Sequence, residues 1–226
     1  NIGDAKWRSS QRLEDVSSKK QVLYLSADKG EAYDVFSSGQ LVRQVPFDQE
    51  PTHNISNPLD TAYADWFNLI TPVSFDDNEL RGIQDAFLPQ MRVFHSPPLT
   101  TKTIISGQAK LTLFLDIDTP DTDIYAAIYA IEPDGRALRL GWDIVRARFR
   151  EGTAAMKLVE PNTIQPYEFK RFYWLSKVLK AGTRLRLVVG PAISPQIQLN
   201  FNSGGRLGYE SGKDARTATV QIHHNK

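Results

Sequence analysis

From Met91 onward, apolar and polar residues alternate in short runs separated by turn residues, a period that belongs to strands and not to helices. "QAKLTLFLDID" places Leu111, Leu113, Leu115 and Ile117 on one face. "RVFHSPPL" reads as a strand stopped by Pro97 and Pro98, which cannot donate to a ladder. In "DIYAAIYAIEPDGRALRLG" the residues from Ile124 to Ile131 are apolar on both faces, and Pro133, Asp134 and Gly135 then reverse the chain, so a doubly covered strand opens a hairpin. "RFYWLSKVLKAGTRLRLVVG" adds an aromatic-rich run, a turn at Ala181 and Gly182, and a strand that turns Leu185, Leu187 and Val189 inward. "ARTATVQIHH" closes the pattern with Ala218, Val220 and Ile222 on one face. At least six such strands, joined by loops without amphipathic helices, predict an all-β fold: an antiparallel β-sandwich of jelly-roll type.

The first third is less regular. Val22 to Leu25 forms a β-type run, Asp28 to Gly30 a turn and the residues after it a second short run, as in a hairpin. From Gln49 to Asp85 the alternation fades into a polar, proline-dotted stretch, read as a long connection with one short helix. Trp66, Phe67, Leu69 and Ile70 within it should pack onto the main body. The expected organisation is an irregular N-terminal segment over residues 1–90, packed on a sandwich over residues 91–226, together one structural domain.

The stretch "WDIVRARFREG" at 142–152 stands out, because Arg146, Arg148 and Arg150 are two residues apart. On a strand, Val145, Ala147 and Phe149 would face the core and the arginines the other way. An exposed ladder of this kind ordinarily pairs with carboxylates on its neighbours, here Asp121, Asp123, Glu151 or Glu168. The competing reading is a face that grips a partner's carboxylate or phosphate bidentately. We expect Arg148 and Arg150 to form buried or half-buried ion pairs with Asp121 or Asp123, fixing the loop after "LDID".

Composition narrows the functional classes. With 226 residues the chain can bury a sizeable core. Its 27 basic and 26 acidic residues leave a net charge of +1, which gives no reason to expect nucleic acid or an anionic membrane as partner. Cysteine is absent, which excludes disulfides and thiolate metal sites but assigns no compartment; a soluble cytoplasmic or secreted protein fits equally. The start, "NIGDAKWRSS", has neither an initiator Met nor a signal-like apolar core, as expected of an excised fragment or processed product.

Internal chemistry is sparse. No G-x-S-x-G string occurs, and "GYESG" at 208–212 has the wrong spacing for a nucleophile elbow. The four histidines are scattered as His53, His95, His223 and His224, and the adjacent pair would point to opposite faces of a strand. "NSGGRLGYESG" at 202–212 lacks the order of a phosphate-binding loop and reads as a connection. The residues alone therefore nominate no catalytic residue, metal site or cofactor.

Several phrases, in order, resemble a known family: "DTD", "PDGRA", "RARFREG", "QPYEF", "LKAGTRLRL", "NFNSGG" and "DARTATV". Between Arg92 and His224 they are similar to the C-terminal jelly-roll domain of the X-Pro dipeptidyl-peptidase and cocaine-esterase family of serine hydrolases, and "KWRSSQRLED" resembles the segment that leads into that domain. The resemblance implies a galactose-binding-like jelly roll that follows an α/β-hydrolase domain. It also implies a supporting role toward that domain, the substrate cleft or an oligomer interface. The family's catalytic serine, aspartate and histidine lie outside the matching region, so no catalytic residue is carried over and the chain alone is expected to be inactive. Relatives run on beyond "HHNK", so a cut at both ends is expected. The alternative is a carbohydrate-binding module using aromatics such as Trp142, Tyr173 and Trp174.

Overall fold

The computed structural model describes residues 9–12, 15, 19–27, 32–60, 89–192 and 197–225. Among them are twelve strands: β1 (Tyr24–Ser26), β2 (Gly39–Val42), β3 (Thr52–Ser56), β4 (Arg92–His95), β5 (Thr103–Gln108), β6 (Leu111–Ile117), β7 (Asp123–Ile131), β8 (Ala137–Arg146), β9 (Gln165–Phe169), β10 (Trp174–Leu179), β11 (Arg184–Pro191) and β12 (Ala218–His223). They form a six-stranded sheet in the order β1-β2-β4-β11-β7-β8, a four-stranded sheet β3-β12-β6-β9, and a two-stranded ribbon of β5 and β10. The pairings are antiparallel except for β2 on β4.

Alternation explains why the two larger sheets face each other. Leu113, Leu115 and Ile117 of β6, Tyr167 and Phe169 of β9, and Val220 and Ile222 of β12 project from the four-stranded sheet into a shared core. Phe94, Ile124, Ala126, Leu187 and Val189 meet them from the six-stranded sheet. The result is the sandwich that the period-2 runs predict. The opposite residues of β4, β7 and β11, namely Val93, Tyr125, Ala127, Tyr129 and Val188, form a second buried cluster on the other face. The doubly apolar run "DIYAAIYAI" is therefore a strand between two neighbours, β11 and β8, buried on both sides. At its end the Glu132 N–H donates to Arg136 O, and Gly135 takes φ +88°, which a side chain would strain.

Three details differ from the sequence reading. β1 does not pair with the residues after Asp28–Gly30 but with β2; residues 33–37 instead bend around Asp34, whose carboxylate accepts from the Phe36 and Ser37 N–H groups. Within the stretch taken as irregular, Thr52–Ser56 is a strand, and its inward residues Thr52, Asn54 and Ser56 are polar, so hydrophobic alternation could not reveal it. β8 ends at Arg146, and Ala147–Phe149 is a 3-10 turn. The turn around Asp28–Gly30 and the cluster Trp66, Phe67, Leu69 and Ile70 lie outside the described residues. β1–β3 contribute to the same sheets as the later strands, β2 beside β4 and β3 beside β12.

Candidate functional site

Where β8 ends, the chain meets the segment entering β7, and the arginines and aspartates singled out above converge. Arg146 is the last residue of β8 and stands opposite Asp123, the first of β7. Its guanidinium grips that carboxylate with two bonds, Nε to Oδ1 and Nη2 to Oδ2, both 2.8 Å. Nη2 also donates to Gln198 O at 2.8 Å. The Asp123 carboxylate raises the affinity of Arg146 for its proton, mainly through these hydrogen bonds.

Arg148 breaks the expected ladder. A continuous strand would place it beside Arg146 on the outer surface, but the 3-10 turn swings it inward, where its side chain is 1% exposed. Asp121 drives this geometry. One carboxylate oxygen accepts the Arg148 backbone N–H at 2.8 Å, and the other accepts Nε at 2.6 Å. Nη1 then donates to Gly205 O at 2.7 Å. A single residue thus has both its main chain and its side chain captured by one buried aspartate. Burial pushes the Asp121 carboxyl upward, while the bonds from Arg148 and Asn200 pull the other way.

Arg150 does not reach either aspartate. Its Nε donates to Gln165 Oε1 at 2.8 Å and its Nη1 to Lys157 O at 2.7 Å, so it fastens the loop after the turn onto β9. Its nearest carboxylate is Glu151 at 3.7 Å, which is bound more closely by Lys157 at 3.0 Å. Glu168 pairs with Lys170. The expected Arg150 pairing with Asp121 or Asp123 is therefore corrected: the turn rotates Arg150 away from the two aspartates.

The sequence reading missed the groups that join the two pairs. Asn200 Nδ2 donates to Asp121 Oδ2 and to Asp123 Oδ1, each at 2.8 Å. Asn202, at φ +59°, donates its backbone N–H to Asn200 Oδ1 and its Nδ2 to Ser56 O and Arg216 O. Glu210 accepts from Ser203 Oγ and from the Gly205 N–H, shaping the loop whose carbonyl holds Arg148. The stretch "NFNSGG" at 200–205 was visible as a resembling phrase and, through its asparagine, serine and glycine, as a turn, but neither says what it binds.

Chemically this arrangement fastens chain segments. Each carboxylate is held by a guanidinium and by the Asn200 amide, so the group ties the β7 entry, the β8 exit and the 200–205 loop together. Among the described residues no group of three or more histidines or carboxylates could hold a metal ion. His95 accepts the Arg186 Nε–H on its own Nε2 at 2.8 Å, and burial, with help from Arg186 and Arg184, lowers its pKa to about 4. Of the candidate ligand aromatics, Tyr173 and Trp174 are each 56% exposed. Trp142 meets Tyr173 at 6.3 Å with the ring planes 84° apart and leans on buried Tyr125, while Trp174 occupies the next position on β10.

Comparison with known proteins agrees with this architecture. A family model described as the X-Pro dipeptidyl-peptidase C-terminal non-catalytic domain matches residues 2–226. A cocaine esterase from Rhodococcus sp. (strain MB1 Bresler) is 31% identical over 125 residues, 55% of this chain and 22% of the esterase. Among solved structures, an aminopeptidase from a marine sediment Thaumarchaeota archaeon superposes with TM-score 0.71 at 18% identity, over 91% of this chain and 35% of the other. An α-amino acid ester hydrolase gives 0.68 at 20% identity, over 89% and 33% respectively. These likenesses establish the fold, and the chain spans between about a fifth and about a third of the length of those proteins. The chain belongs to the X-Pro dipeptidyl-peptidase C-terminal non-catalytic domain family.

Proposed function

We propose that this chain is the supporting C-terminal part of a longer serine hydrolase of X-Pro dipeptidyl-peptidase or acyl-ester hydrolase type, packed against an α/β-hydrolase catalytic domain. The observation that carries this reading is the family match over residues 2–226. The Asp–Arg junction supports it, because both of its carboxylates are bound by arginine and by Asn200. Its role is to hold the two sheets and their loops in one rigid frame, against which a partner's cleft or an oligomer interface can be fixed.

We assign the partner to the surface around β1 and β2. Phe47 there is 94% exposed, and Val22, Tyr33 and Val45 are about half exposed. The Gln49 amide ties the second loop back to Ser26 and Ala27, so Phe47 is held close to β1. Burying one such side chain is worth about 1.5–3 kcal/mol, enough for a few of them to hold two tethered domains together.

The test is hydrolysis of a Gly-Pro anilide and an aryl ester, with fluorophosphonate labelling, by this chain and by the full-length protein. The chain alone should neither turn over substrate nor become labelled, while the full-length protein should do both. Labelling of a serine within residues 1–226 would overturn the reading. In the full-length protein, Val45→Ser with Phe47→Ser should uncouple the unfolding of the two parts while leaving the midpoint of the isolated chain nearly unchanged.

A further inference from the structure

Behind the junction lies a cavity of about 10 Å³, lined by Ser56, Pro58, Asp123, Ala192, Leu199, Asn200 and Asn202. That volume is the space one water molecule needs. Asn202 is 1% exposed, and its amide orientation is fixed because Nδ2 donates to Ser56 O at 3.1 Å and to Arg216 O at 2.8 Å. Its Oδ1 therefore points elsewhere, and no donor among the described residues reaches it. A buried carbonyl oxygen in this position is costly unless it accepts a hydrogen bond.

We propose that this cavity is a binding site for a single ordered water, which donates to Asn202 Oδ1 and to the Asp123 carboxylate and accepts from the Ser56 hydroxyl. Ser56 Oγ lies 3.5 Å from Asn202 Nδ2 as an acceptor, which leaves its own proton to donate. Asp123 keeps lone-pair capacity beyond the bonds from Arg146 and Asn200. Charge decides between a neutral and a cationic occupant. The two aspartates of the junction are balanced by Arg146 and Arg148, so a cation would enter a site with no net negative charge to hold it. Water meets the same oxygens without that penalty. It would add a link from the polar edge strand β3 to Asp123 beside the one that Asn202 makes through Ser56 O and Asn200.

Crystals of the chain, diffracting well enough to show ordered solvent, provide the test. One peak is expected in the cavity at ~2.8 Å from Asn202 Oδ1 and within hydrogen-bonding reach of Asp123 and Ser56. In Ser56→Ala the peak should weaken or vanish while the Arg146–Asp123 pair keeps its geometry. Added calcium or sodium should leave the unfolding midpoint of the wild-type chain unchanged beyond the general effect of salt. The proposal is overturned by a side chain filling the space, by a peak with the short, many-oxygen coordination of a metal, by a calcium-dependent rise in midpoint, or by a peak that persists at full strength in Ser56→Ala.

Discussion

Two clusters of opposite charge in this molecule use the same residue types in different surroundings. At the β7–β8 hairpin tip, Arg136 contacts Glu132 at 2.9 Å and Asp134 at 3.0 Å, and Lys180 contacts Glu132 at 3.2 Å; the arginine side chain is 56% exposed. At the opposite end of the same two strands, Arg146 and Arg148 meet Asp123 and Asp121 at 2.8 and 2.6 Å, almost out of solvent. Distances hardly separate the clusters, whereas surroundings do. Water screens the tip, and its long side chains lose entropy by settling into one geometry. The junction was desolvated at a cost, and each charge there depends on its partner to remain buried.

Truncating one partner of the buried pair should therefore cause the largest loss. Arg148→Met leaves Asp121 charged and enclosed, and releases Gly205 O as well, so urea unfolding should show destabilisation by about 3–5 kcal/mol. Combining it with Asp121→Leu should recover part of the loss, and the double-mutant cycle should give a clearly non-additive coupling. Recovery should stay incomplete because Asn200 and the backbone N–H at 148 would lose an acceptor. An Arg148→Met cost comparable to that of a surface change would remove the distinction between the clusters. Arg146→Ala comes next. Its bidentate bond is charge-assisted but its side chain is 14% exposed, so a loss of about 1.5–3 kcal/mol is expected by the same measurement.

The same contrast decided what the sequence could reveal. β6 and β12 were readable because their inward faces are apolar and alternate with period two, and β7 because it is an apolar run on both faces ended by a turn. β3 follows the same period with Thr52, Asn54 and Ser56 inward, and polar residues hide a strand from a hydrophobic pattern. The arginine spacing at 146, 148 and 150 suggested an outer ladder, yet a buried aspartate some 25 residues earlier overrode local strand preference by capturing a backbone N–H. Asp121 and Asp123 were candidates by proximity in sequence and resemblance. Asn200 and Asn202 lie in a resembling phrase, "NFNSGG", but far from the arginines in sequence, and their roles come from a loop that only the folded chain brings alongside.

A third effect depends on half-buried His95 and buried His224 instead of paired charge. Burial lowers both His95 and His224 to about 4, below the ~6.5 of an unfolded chain. The unfolded state then binds more protons between those values, so this stability is complete above about pH 6.5 and declines as pH falls toward 4. Each group contributes at most about 1.4 kcal/mol per pH unit in that window, less where solvent reaches the ring. His95→Gln keeps an acceptor for the Arg186 Nε–H without titrating, so its unfolding midpoint should fall less steeply between pH 6.5 and 5 than that of the wild type. Equal slopes would remove His95 from the account.

The smallest effect is expected at the hairpin tip, and it is the control on which the comparison depends. Arg136→Ala removes contacts to both Glu132 and Asp134, as many carboxylates as the two junction arginines hold between them. Stability should nevertheless fall by less than about 0.5 kcal/mol, because both partners regain water and Glu132 keeps Lys180. Raising the salt concentration should shrink even that difference, whereas the loss caused by Arg148→Met should persist because its pair is shielded from counterions. If Arg136→Ala instead cost as much as Arg146→Ala, and kept that cost in high salt, the Coulombic contacts themselves would be setting stability and burial would not. The tip would then be a second fastening point of the β7–β8 hairpin, equal to the junction at its other end.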